Sequence, residues 1–218
     1  MAMKSCSICG TPAETFESQG HGDLMCPHCK SFDRQRVFID LYRVEAFGKD
    51  FLENKRVLHI SPYIAEKMIF SQIPGAEVVT IDIRPTVKPD IVADICAMPE
   101  VPTGVFDVAF ACGVFQHVER PLEAAAELFR VLKPMGHLLC TSPLMRNKKT
   151  TEYDDYSRIT AEYGKEAYDK WRVGFFRSFG ELDYAQHFSP YFEGKVYFGE
   201  DAPLTYLTGV FWGLKNTK

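Results

Sequence analysis

The chain has 218 residues, 46% of them hydrophobic and 25% charged, with a formal net charge of −4. That suits one soluble domain with a small annex, and a sequence pI near 5.9 argues against a broad nucleic-acid footprint while leaving room for a local basic patch. The opening MAMKSCSICG has no apolar leader core, no run reaches the ~20 residues of a membrane span, and the seven cysteines, four of them in CxxC pairs, fit metal ligation in a reducing compartment, so the expected location is cytoplasmic.

The first 30 residues carry Cys6-Ser7-Ile8-Cys9 and Cys26-Pro27-His28-Cys29, two C-x2-C pairs separated by sixteen residues. Each pair sets two thiolates on one tight turn, and two such turns can close a four-cysteine shell around zinc with no open coordination position, hence a structural site. Gly10 suits the turn after the first knuckle because it tolerates positive φ. His21 and His28 are substitute ligands on paper. Glu14, Glu17 and Asp23 lie between the knuckles with no lysine or arginine, which disfavours phosphate contacts there. A short ribbon of this kind has no core of its own, so residues 1–30 are expected to fold on the metal and dock on the rest.

Residues 31–54 are expected to link this ribbon to the main domain. Val37, Leu41, Val44 and Phe47, with Phe38, recur at helical spacing from Ser31 to about Phe47 and stop at Gly48. Arg34 and Arg36 near its start could meet a substrate anion or form surface salt bridges.

The main domain, residues 55–218, begins with the strand-like run Val57-Leu58-His59-Ile60. Ser61-Pro62 reads as an N-cap and first helical position, predicting a helix from Pro62 to about Gln72 that stops before Pro74-Gly75. A second strand, Val78–Ile81, ends in Asp82, 21 residues after Ser61. A strand–helix–strand unit with an acid at that distance reads as a nucleotide-type cofactor site, the helix start facing negative groups and the acid facing ribose hydroxyls.

Further on, Asp90–Val92 and Phe106–Cys112 read as strands, the latter closed by Gly113. Glu119–Leu132 reads as a helix with Leu122, Ala125, Ala126, Phe129 and Leu132 on one face. Lys133–Gly136 stops it, and His137–Thr141 is the next strand. This alternation predicts a mostly parallel α/β sheet. Residues 143–190 are rich in aromatic and charged residues, with a helix expected over Ala161–Val173. An insertion after a strand's carboxyl end either covers the site as a lid or forms a helical layer on the sheet. Lys195–Phe198 and Thr208–Leu214 read as a closing antiparallel pair.

Taken in order, Val57–Glu66, Thr80-Ile81-Asp82-Ile83, Ala93-Asp94-Ile95, Phe106-Asp107-Val108-Ala109 through Gln116-His117-Val118, and Val131-Leu132-Lys133-Pro134-Met135-Gly136 resemble the motifs of class I S-adenosylmethionine-dependent methyltransferases of the type 11 group. The cysteine knuckle running into Ser31–Arg36 is similar to a subgroup with a four-cysteine zinc-ribbon head. The resemblance implies a Rossmann-like, seven-stranded sheet, S-adenosyl-L-methionine as cofactor and methyl transfer as activity. It implies Asp82 on the ribose, Asp94 on the adenine amine, Ile83 and Ile95 against the ring, and Cys112, Gly113 and Val114 near the methyl. Where the family's first motif has an acid and two glycines, this chain reads His59-Ile60-Ser61-Pro62-Tyr63, so His59, Ser61, Pro62 and Tyr63 would meet the methionine end.

For a general base, His117, His187 and Tyr184 are candidates, His117 also reading as a packing residue at a helix entry. Cys96, Cys112 and Cys140 read as small buried residues rather than nucleophiles. A small-molecule acceptor is expected from the acidic pI and the aromatic insertion. The alternatives are a non-catalytic scaffold whose zinc head binds a partner, an RNA methyltransferase, and a nicotinamide oxidoreductase, whose G-x-G-x-x-G fingerprint this chain lacks.

Overall fold

A computed structural model describes residues 5–18, 24–198 and 206–216. The seven strands of its main sheet are β1 Arg56–Ile60, β2 Glu77–Asp82, β3 Ile91–Val92, β4 Phe106–Cys112, β5 Leu132–Met145, β6 Phe192–Phe198 and β7 Tyr206–Lys215, ordered β6-β7-β5-β4-β1-β2-β3. β1 to β5 are parallel, and β7 runs antiparallel to β5 and β6. In the centre Val57 lies opposite Val78 and Val108, and Leu58 opposite Val79 and Ala109. Such continuous apolar strands require both faces to be covered.

Strand alternation divides the core. Val57, Val108, Phe110, Cys112 and Leu139 face helices α1 (Asp33–Arg43) and α2 (Ile64–Phe70), together with Cys6, Cys26 and Cys29 of the head. Leu58, Ile60, Ala109, Ala111 and Cys140 face α3 (Pro121–Val131) and Tyr184 and Phe188 of the insertion. The insertion adds α4 (Tyr156–Ile159), α5 (Gly164–Trp171) and a two-stranded ladder pairing Thr151–Glu152 with Arg177–Ser178. No helix among the described residues is long and apolar enough to cross a membrane.

The helices depart from the expected bounds for local reasons. Ser61 has φ +50 and is the turn out of β1, not a cap. α2 starts at Ile64 instead of Pro62, where the Glu66 carboxylate accepts the Tyr63 N–H at 3.0 Å. α3 starts at Pro121, proline filling the first helical position. Its buried face is Ala124, Ala125, Leu128 and Val131, and Leu122 is exposed, so the stripe is rotated from the expected one. Val131 ends the helix. β5 begins at once, with Lys133–Gly136 taken up as an irregularity between the pairs Phe106–Leu132 and Val108–His137.

In α1 the rotation has a polar cause. Gln35 and Arg36 are buried beside Phe38 and Ile39, and Val44 is exposed. Arg36 donates to the Ser31 carbonyl at 2.6 Å and to the Leu24 carbonyl at 2.6 Å, gathering the second knuckle onto the helix. Gln35 Nε2 donates to Glu66 Oε1 at 2.9 Å, and Glu66 Oε2 lies 2.7 Å from His59 Nε2. His59, fully buried against Phe70 and Phe110, belongs to this joint beneath α2 and is not at the mouth of a cofactor site.

Burial pushes the Glu66 carboxyl up, but the His59 hydrogen bond, with those of Gln35 and the Tyr63 N–H, outweighs it and holds the group below its ordinary value. A depressed carboxylate stabilises the fold above its unfolded value and loses that contribution as pH falls. Replacing Glu66 with leucine strands three partners, so urea denaturation of Glu66→Leu is expected to show a loss of about 3 kcal/mol. Wild-type stability should begin to decline below pH 4.5, the ordinary value for the group. A variant as stable as wild type would remove the joint's structural role.

Candidate functional site

Three turns meet at the carboxyl ends of the parallel strands, the place where such sheets bind ligands. β1 leaves through Ser61, whose left-handed backbone is the conformation a glycine usually supplies. β2 ends at Asp82, and β4 leaves through Gly113 at φ +65. Around them lies a cavity of about 140 Å³, lined by Ser61, Asp82, Ile83, Asp94, Ile95, Gly113, Val114 and His117 among others. Pro62, Tyr63, His59 and Cys112 do not line it. Tyr63 is exposed. Cys112 is buried with its Sγ accepting from Thr141 Oγ1 at 2.9 Å. The floor is therefore Gly113 and Val114, without Cys112.

Asp82 is almost fully buried, and its acceptor capacity is filled. Oδ1 accepts from the Arg84 backbone N–H at 2.8 Å and Arg84 Nε at 3.0 Å; Oδ2 accepts from Arg84 Nη2 and Ser61 Oγ, both at 3.0 Å. A carboxylate has about four lone-pair sites. Burial pushes this carboxyl up, but Arg84 and Ser61 outweigh it and hold it low. A diol can reach Asp82 only by replacing one of these donors. Asp94 is more open. Its Oδ1 accepts the Cys96 N–H at 2.9 Å, and Oδ2 meets Arg120 at 3.2 Å.

His117 ends a single 3-10 turn, Phe115–His117, that follows Gly113. Its Nδ1 lies 3.1 Å from the Gly174 carbonyl, which can only accept, so Nδ1 carries the proton and Nε2 keeps its lone pair. Tyr163 and Phe175 flank the ring. Burial lowers its pKa to about 4, and the charges of Arg34, Arg84 and Arg177 act in the same direction against the Gly174 hydrogen bond.

A second chamber, about 670 Å³, adjoins the first and shares Gly113, His117 and Tyr163 with it. Its walls come from several parts of the chain: Phe32 and Arg34 just after the second knuckle, Gln116 from the turn after β4, Ser142 from β5, and Arg158, Phe175, Arg177 and Phe179 from the insertion. Arg177 is spent on structure, with Nε on Glu152 and Nη1 on the Phe115 and Val118 carbonyls. The other two base candidates lie outside both cavities. Tyr184 is fully buried and donates to the Cys140 carbonyl at 3.2 Å. His187 Nε2 pairs with Thr150 Oγ1 at 3.0 Å. Neither is placed to touch a ligand in these cavities.

In the head, the Sγ atoms of Cys6, Cys9, Cys26 and Cys29 all lie within 4.8 Å of one another, with Cys6–Cys29 and Cys9–Cys26 at 3.6 Å. A regular tetrahedron of sulfurs around zinc has edges of about 3.8 Å. Lys30, at φ +59, and Gly10, at φ +78, make matching turns after the two knuckles. His28 is outside this group of four, and His21 lies outside the described residues.

Arg84, Arg120, Gln116, Arg158 and Tyr163 line these cavities without having been singled out as site residues. Arg84 had a local signal, standing two residues after the strand-end acid. Arg158 and Tyr163 had none, because only the fold of the insertion brings them over Gly113.

Residues 65–140 match the methyltransferase domain family. No match was found among curated protein sequences. Of the solved structures similar to this chain, a putative sarcosine dimethylglycine methyltransferase from Galdieria sulphuraria is 13% identical, covers 91% of this chain and 92% of its own, and has a TM-score of 0.59. The Burkholderia thailandensis 1,6-didemethyltoxoflavin-N1-methyltransferase, solved with bound 1,6-didemethyltoxoflavin and S-adenosylhomocysteine, is 14% identical over 92% of this chain and 99% of its own, with a TM-score of 0.53. The [4+2]-cyclase SpnF is 14% identical over 98% and 92%, with a TM-score of 0.64, so this architecture also serves other chemistry. Residues 65–140 thus match a methyltransferase domain model, and the seven-stranded sheet around them has a Rossmann-like fold like that of the methyltransferase structures it resembles.

Proposed function

We propose that the protein transfers a methyl group from S-adenosyl-L-methionine to a small-molecule acceptor, and that its cysteine head holds a structural zinc ion. The observation that carries this reading is the pair of adjoining cavities that share Gly113, His117 and Tyr163. One has the two strand-end acids and apolar faces that suit an adenosine, and the other has room for an acceptor. When bound, the cofactor supplies an electrophilic methyl on a sulfonium centre.

The chain's residues do the rest. Asp94 takes the adenine amine and Asp82 the ribose hydroxyls once Arg84 yields a position. Ile83 and Ile95 cover the ring and exclude water. His117, held by Gly174 with Nε2 open, accepts the proton that the acceptor's nucleophile sheds. Positioning of the two ligands across Gly113 supplies most of the rate. A methyltransferase-like scaffold without catalysis is the second reading, favoured by the filled acceptor sites of Asp82.

Isothermal titration with S-adenosylhomocysteine separates the two. Binding is expected in the wild type, with Asp82→Ala weakened by about tenfold or more, the worth of a lost charge-assisted hydrogen bond. Unchanged affinity in that variant would sink the site assignment, and no binding by wild type would favour the scaffold.

Metal analysis is expected to find one zinc per chain, lost with the ordered head in Cys26→Ser, since binding and folding of so small a unit are one event. A metal-free wild type with an intact head would reject zinc. For His117, an NMR pH titration should place its ring pKa at about 4, leaving it neutral at pH 7. Titration at the ordinary 6.5 would contradict the buried, single-donor ring.

A further inference from the structure

The charged side chains that line the larger chamber are mostly basic. They are three arginines, Arg34, Arg158 and Arg177, against one carboxylate, Glu162, which is hydrogen-bonded beside Tyr163. Arg177 is fully engaged with Glu152 and backbone carbonyls. Arg158 is different. Its exposed side chain lines the chamber, and its guanidinium lies 3.6 Å from the centre of the Tyr153 ring, which orients it. Gln116 lines the same chamber and is 7% exposed. Its Oε1 accepts from Ser142 Oγ at 3.3 Å, and its Nε2 has no acceptor among the described residues. An amide donor that faces a chamber can give its hydrogen to a ligand there. The remaining wall is flat and apolar, from Phe32, Tyr163 and Phe175.

From this arrangement, and resting on the methyl-transfer reading above, we infer that the acceptor is an anion: one carboxylate or phosphate ester on a flat apolar body, held by Arg158 and the Gln116 amide, with its nucleophile toward His117. Arginine and an amide N–H together suit oxyanions of either kind, and the aromatic wall suits a ring. The arginines that lower the His117 pKa add force to the reading. A bound anion offsets their field, so the acceptor's arrival strengthens the base that deprotonates it.

The test titrates 4-hydroxybenzoate, phenyl phosphate and neutral phenol into the protein, unloaded and loaded with S-adenosylhomocysteine, and repeats the series with Arg158→Met and Gln116→Leu. At least one anion is expected to bind about tenfold or more tightly than phenol, the carboxylate and phosphate arms showing which anion the chamber prefers. That preference should disappear in Arg158→Met, which keeps its affinity for S-adenosylhomocysteine because Arg158 does not line the smaller cavity. Phenol binding as tightly as both anions, no binding by any probe, or an undiminished preference in Arg158→Met would each overturn the inference. Failure of S-adenosylhomocysteine to bind would overturn the methyl-transfer reading alone, because anion preference is also read in the unloaded protein.

Discussion

The Glu66 carboxylate is the joint on which the site's geometry depends. One buried group, 1% exposed, receives a side chain from α1 and a backbone N–H from the loop that opens α2, and meets the ring of His59 from β1. A charge so placed is tolerated only when its partners are all present, which makes it a strict selector of one arrangement. It locks the loop that follows Ser61, and with it the mouth of the smaller cavity. It also ties α1 down, so that Phe32 and Arg34 at the start of that helix stand over Gly113. An ideal Cβ at Gly113 would approach Arg34 Nε to 3.0 Å, which shows how closely the two elements are held.

Much of this was legible in the chain. Strand runs such as Phe106–Cys112 announce themselves because both faces are apolar, and the spacing from Ser61 to Asp82 places the acid at a strand end. The cysteine knuckles are equally plain, since their spacing reflects a turn. Helix faces were harder. In α1 the expected stripe gave way because Gln35 and Arg36 occupy buried positions through hydrogen bonds that periodicity does not encode. The lack of glycine in the first motif looked like an altered site, yet Ser61 adopts the left-handed backbone at a cost of roughly 1 kcal/mol, with its hydroxyl anchored on Asp82.

Histidines divided by context. His59, at the position of a family acid, became a buried structural partner. His187 and Tyr184 went to the core side of the insertion, and His117 went to the junction of the cavities. Sequence shows which side chains can titrate, but burial and the direction of each ring come from packing over tens of residues. The same is true of Arg158, which lies between the two strands of a ladder that joins residues 25 and 27 positions apart.

The second cysteine knuckle ends at Cys29, and Phe32, three residues later, already forms a wall of the larger chamber. Ser31, between them, lies 3.1 Å from Cys29 Sγ and hands its carbonyl to Arg36. Head and pocket are therefore one piece of masonry. A change in the cysteine head would move a wall of the larger chamber in the same step, while the strand ends that carry Asp82 and line the smaller cavity keep their place.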